Sequence, residues 1–196
     1  MSRLTKFEIA KAYFEDAAEK QQLDAITNAN IAAGKIQLKE HAIVVAAQVA
    51  SPGGTVSLFQ ANQNELVGNS SINNQKLPSG QNHLSFSLEV LYGVGLIAAD
   101  AGNVDYSSAL PADLKNADLL VLEAETEKLR IPIEVINGAK NSDSYFTEIH
   151  QVLLRAEKKI DFKIEFPAAG ADFAPGAGNA GFVKVISRGM VTNDRS

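Results

Sequence analysis

The chain of 196 residues contains no cysteine and no tryptophan. Without thiols it has no disulfide, no thiolate zinc site and no cysteine nucleophile, so its fold rests on packing alone. Without tryptophan it lacks the side chain best suited to stacking on sugars. Long apolar runs are missing too. The greasiest stretches, 42–50 and 94–99, are far too short to cross a bilayer, and the first twenty residues carry a charge every few positions, unlike a signal peptide. A soluble protein made in a cytoplasm is expected. Positive charge is in deficit: 18 Lys and Arg against 23 Asp and Glu leave a net −5, which argues against a surface built to grip phosphate.

What is present is a 45% hydrophobic content, enough for one sizeable core. The strongest pattern is LSFSLEVLY at 84–92, where Leu84, Phe86, Leu88, Val90 and Tyr92 alternate with Ser85, Ser87 and Glu89. Period two predicts a strand buried on one face. The segment 160–166 alternates as clearly, through Ile160, Phe162, Ile164 and Phe166. Further strands are expected at 36–49, 55–59, 119–124, 128–136 and 181–191. In the first of these the apolar parity reverses between Leu38 and Ile43, which predicts a bulge or kink near Glu40. A turn at Ser51-Pro52-Gly53-Gly54 suggests that 55–59 forms a hairpin with it. The Asn- and Gln-rich stretch 60–82 reads as a long ordered loop at one end of a sandwich. Residues 145–155 carry Phe146, Ile149, Leu153 and Leu154 at helical spacing, and a helix is expected there. So is a short helical turn at 112–116, after Pro111.

Ahead of the strands, Leu4, Phe7, Ala10, Phe14, Ala17 and Ala18 recur at three- and four-residue spacing, and a weaker set runs through Leu23, Ile26, Ala29 and Ala33 to Gly34. This is one amphipathic helix or two with a break near Gln21. Some eight strands joined by irregular connections predict a mainly β chain. We expect an antiparallel β-sandwich, a single jelly roll at 35–196, with an N-terminal α-helical arm at 1–34.

No constellation of residues announces a chemistry. His41, His83 and His150 are far apart in sequence, and only His150 has a carboxylate at close spacing, Glu148, too little for a metal centre. There is no Gly-x-Ser-x-Gly elbow. Glu123 with Glu125, and Asp161 with Glu165, recur at strand spacing and read as solvated strand faces. The glycines of 176–181 mimic a dinucleotide pattern but precede a strand instead of opening a helix, so they read as a loop. Arg155, Lys158 and Lys159 form the densest basic cluster, too small for phosphate recognition.

The run SPGGTVSLFQANQNELVGNSSINNQKLPSGQNHLSFSLEVLYGVG, followed later by KKIDFKIEF and GFVKVISRGMV, resembles jelly-roll capsid proteins of tailless, membrane-containing bacteriophages over about residues 36–191. Many of those carry two rolls in a longer chain, so this one would correspond to a single-roll shell subunit or a minor virion component. The resemblance implies a virion protein assembled in the host cytoplasm, without catalysis, cofactor, metal or small-molecule substrate. Its partners would be further copies in a symmetric homo-oligomer such as a trimer, other virion proteins, and an internal membrane or genome. Leu4, Phe7 and Phe14 would be the subunit-contact residues, unless they pack on their own sheet. A carbohydrate-binding or small hydrolytic β-sandwich is the competing reading, since architecture alone does not choose a function.

Overall fold

The computed structural model describes residues 5–49, 54–60, 63–138, 147–167 and 175–194. Eight strands run through them: β1 (Ile36–Val49), β2 (Thr55–Ser57), β3 (His83–Leu96), β4 (Asp118–Glu123), β5 (Thr126–Pro132), β6 (Thr147–Leu154), β7 (Ile160–Glu165) and β8 (Asn179–Asp194). They form two antiparallel four-stranded sheets, ordered β1-β8-β3-β6 and β2-β7-β4-β5. The sheets stack face to face. Ile43, Val45, Leu88, Val90, Val183 and Val185 of the first meet Leu119, Val121, Ile160, Phe162 and Ile164 of the second in one core.

Two helices, α1 (Lys6–Glu19) and α2 (Ala25–Ala32), cover the outer face of the first sheet. Thr5 starts α1 with a capping box, its hydroxyl accepting from the Glu8 N–H while the Glu8 carboxylate accepts from the Thr5 N–H. Gln21, at φ 54°, breaks the chain between the helices, and Gly34, at φ 66°, ends the second. Ala10, Phe14 and Ala17 lie four and three positions apart on the buried side of α1, and the two alanines let the helix approach the sheet closely. With Leu23 they pack on Leu84, Phe86 and Met190. The helices therefore share a core with the sandwich, where the sequence suggested an arm.

This second core explains the parity reversal in β1. Strand β1 pairs with β8 in unbroken register from Ile36↔Asp194 to Val49↔Gly181, so no bulge exists near Glu40. Its apolar parity reverses because Leu38 faces the helices while Ile43, Val45 and Val49 face the other sheet. The bulge lies in β3, between Ser85 and Ser87, opposite both β6 and β8. There the extra residue turns an unbroken sequence alternation into a change of face: Leu84 and Phe86 point to the helices, Leu88, Val90 and Tyr92 to the sandwich core.

Three further expectations are corrected. β2 does not pair with β1; it joins the other sheet, antiparallel to β7, and of the turn expected before it only Gly54 is described. Residues 147–154 form β6 instead of a helix, because β3 offers a pairing edge and the inner face takes Val152 and Leu154; Tyr145 and Phe146 lie outside the described residues. The strand expected at 128–136 ends at Pro132, and Ile133–Gly138 turns into a short helix, α4, that buries Ile133 and Ile136. The helical turn α3 (Ala112–Lys115) forms as expected after Pro111. In the 63–82 connection Ile72 and Leu77 are buried in the sandwich core, while Leu66 and Val67 stay exposed.

Candidate functional site

The three residues expected to contact other subunits separate sharply. Leu4 lies outside the described residues. Phe14 is 2% exposed, enclosed by its own sheet. Phe7, two turns earlier on α1, is 48% exposed. It lines an apolar groove of about 540 Å³ with Phe14, Ile31, Ile36 and Leu38, between the two helices and the start of β1. Lys11 and Glu15 border this groove and pair with each other at 3.9 Å. These two are its only charged lining residues, and they face each other; the rest of the lining is apolar or, like Gln37, uncharged.

A feature invisible in the sequence sits near the same end of the sheet. His41 and His83, 42 residues apart, bring their Nδ1 atoms to 3.2 Å, with the rings edge-on. They meet because β8 lies between β1 and β3 and has glycine at position 189, opposite both His41 and Ser85. A Cβ at Gly189 would stand 2.0 Å from the Leu84 carbonyl oxygen and 3.0 Å from His83 Cε1, so any side chain would force the strands apart. His83 is fully buried and its Nε2 has no partner among the described residues.

These facts set the tautomers. The bond needs one donor. If His83 donates from Nδ1, its Nε2 is a bare acceptor; if His41 donates, the Nε2 of His83 carries a buried hydrogen with nothing to receive it, the more expensive arrangement. We therefore assign the proton to His83 Nδ1. Burial drives the His83 pKa down to about 3, and His41 beside it pushes the same way. Burial also lowers His41, partly offset by the Glu65 carboxylate. Both rings are neutral at pH 7, which makes the pair a structural pin sensitive to acid. The signal that could have found it is parity: His41 shares the inward parity of Ile43 and Val45.

The remaining polar candidates are engaged structurally. Glu123 and Asp161 are buried instead of lying on solvated faces, whereas Glu125 is exposed. Burial pushes the Glu123 carboxyl up, but Arg155, bonding through its N–H and guanidinium, and Lys128 at 3.2 Å bring it below its ordinary range. Asp161 is pushed up by burial, and the Ser57 hydroxyl donating at 2.7 Å offsets only part of that. Lys159 is held by Glu125, so with Arg155 held by Glu123 two of the three basic cluster residues are paired. His150 and Glu148 are exposed on β6, and Glu148 pairs with Lys6 at 3.3 Å. The loop glycines Gly176 and Gly178 form the turn into β8. Among the described residues no three His, Asp or Glu side chains converge to hold a metal.

Asn82 is the pin of the helical layer. Fully buried, its amide donates to Asp24 at 2.9 Å and to the Thr27 hydroxyl at 2.9 Å, while its carbonyl accepts from the Ala156 N–H at 2.9 Å. One side chain thus ties the start of α2 to the end of β6.

No family model, no curated protein and no solved structure matches the chain. What remains is its own geometry: a two-sheet slab, a helical layer with an open apolar groove, and buried polar groups that hold the slab together.

Proposed function

We propose that this chain is a structural virion protein, a self-assembling shell subunit without catalytic activity. One observation carries the reading: in the order β1-β8-β3-β6 against β2-β7-β4-β5, strand one pairs with eight, two with seven, three with six and four with five. A chain doubled into a long hairpin and rolled once has that wiring, which is what a single jelly roll requires. Shell subunits need flat, self-complementary faces more than a cleft. The exposed apolar surface around Phe7 offers area for such a contact and supports Phe7 as a subunit contact.

The sugar-binding or hydrolytic alternative has less to stand on. A sugar platform needs several exposed aromatic faces, yet among the described phenylalanines only Phe7 is exposed. A carboxylate pair needs a shared cleft, yet Glu123 is bonded to Arg155 and Asp161 to Ser57.

Sedimentation velocity of the purified chain over a wide concentration range tests the proposal. Discrete symmetric oligomers or larger closed particles are expected; a monomer at every concentration overturns it.

A further inference from the structure

The first sheet has an edge that the chain closes only halfway. Along β1, the Ala46 N–H donates to the Asn69 carbonyl, the Val44 carbonyl accepts from the Ser71 N–H, and the Val44 N–H donates to the Ser71 hydroxyl. The backbone groups of residues 44 and 46 therefore point away from β8. Because β1 keeps unbroken register with β8, the groups of residues 36, 38, 40 and 42 point the same way. Among the described residues, the N–H and C=O groups of Leu38, Glu40 and Ala42 have no hydrogen-bond partner there. On the helix side of this open stretch lie two hollows, the Phe7 groove at Ile36 and Leu38 and another of about 400 Å³ at Glu40 and Ala42.

An open edge beside apolar surface accepts an added strand. We propose that a second copy of this chain supplies it, its own residues 36–40 pairing antiparallel with residues 36–40 about a two-fold axis, so that the two first sheets join into one. This names the self-contact of the shell-subunit reading and rests on it.

Charge narrows the register of such a self-pairing. Only registers that set outward groups against outward groups can bond, and a two-fold axis narrows them to a few. Glu40 opposite itself, Lys39 opposite itself, or Lys35 opposite Lys39 are three of these, and each sets like charges face to face. The register with Leu38 opposite Leu38 of the second copy avoids all three. It sets Gln37 against Lys39, Ile36 against Glu40 and Lys35 against the neutral His41, and it merges the two Phe7 grooves across the axis. About six main-chain hydrogen bonds would form, two for each of three outward pairs. Lysines at an edge ordinarily deter pairing; in this register neither Lys35 nor Lys39 lies directly opposite a positive charge.

The absence of cysteine makes the test direct. Directly opposite residues in a bonded antiparallel pair have Cα atoms about 5.5 Å apart, within disulfide range. Under mild oxidation Leu38→Cys should therefore cross-link most of the purified chain into covalent dimers, at least tenfold faster than Glu127→Cys on β5. Glu40→Pro removes an outward N–H and no bond to β8, so it should keep the circular dichroism spectrum and unfolding midpoint while weakening self-association at least tenfold. If the wild type assembles but Leu38→Cys cross-links no faster than the control, or Glu40→Pro assembles as well as wild type, the edge pairing is wrong and the shell reading survives. If the wild type is monomeric throughout, the shell reading itself fails.

Discussion

Lowering the pH from 7.5 to 5.0 should destabilise the wild-type chain by about 2 kcal/mol more than a His83→Gln variant. In the unfolded chain residue 83 titrates near the ordinary value of 6.5, whereas in the folded chain burial holds it at about 3. Above pH 7.5 both states are neutral at this position and it contributes nothing to the pH dependence. Below 6.5 the unfolded state binds a proton that the folded state refuses, so stability falls with pH until about 3. At pH 5.0 the gap is about 1.5 units, at about 1.36 kcal/mol each. The folded site resists for a reason visible in its bonds. A second proton on the pair would leave two N–H groups facing each other at 3.2 Å, or place one on the unpartnered Nε2. The charges nearby do little to help. Glu65 acts on His41 alone, and Arg188, on the neighbouring strand, pairs with Glu89 at 3.3 Å. Glutamine can still donate to His41 but does not titrate, so other groups cancel in the difference. Urea unfolding followed by far-ultraviolet circular dichroism, at fixed protein concentration across the pH range, measures it. Parallel curves for the two proteins would refute the claim that His83 is held neutral.

Asn82→Ala should cost about 2–4 kcal/mol, because it strands the Ala156 N–H and frees Asp24 and Thr27 from the sheet; hydrogen exchange should report faster opening of α2 than of β8. Phe14→Ala should lower stability by about 3–5 kcal/mol, while Phe7→Ser should change it by less than about 0.5 kcal/mol and weaken self-association. Equal stability losses for the two would mean that Phe7 is not free for contacts. Gly189→Ala should be the most damaging small change, above about 4 kcal/mol, since its methyl group meets the Leu84 carbonyl; a variant with an unaltered melting temperature would contradict the tight β3-β8 approach.

Most strands were legible in the sequence because alternation is a local property. Residues 84–92 and 160–166 announce themselves, and each is a strand. Which face each residue serves was not legible, because two cores share one sheet. In β1 a reversal of parity marks a change of partner layer, whereas in β3 a bulge hides the same change behind a perfect alternation. β6 defeats helical spacing for a related reason: it is bulged opposite β3, which spoils its period of two, and its pairing energy comes from a strand more than sixty residues away. The histidine pair is a tertiary accident of strand order, made possible by Gly189 on the strand between them. Phe7 and Phe14 carried the same helical signal, and only the position of the sheet beneath α1 separates an exposed residue from a buried one.

The account stands or falls on self-association. Electron microscopy of the purified chain at increasing concentration should show discrete symmetric particles, two-fold related at their smallest. A field of single compact monomers at every concentration would contradict it.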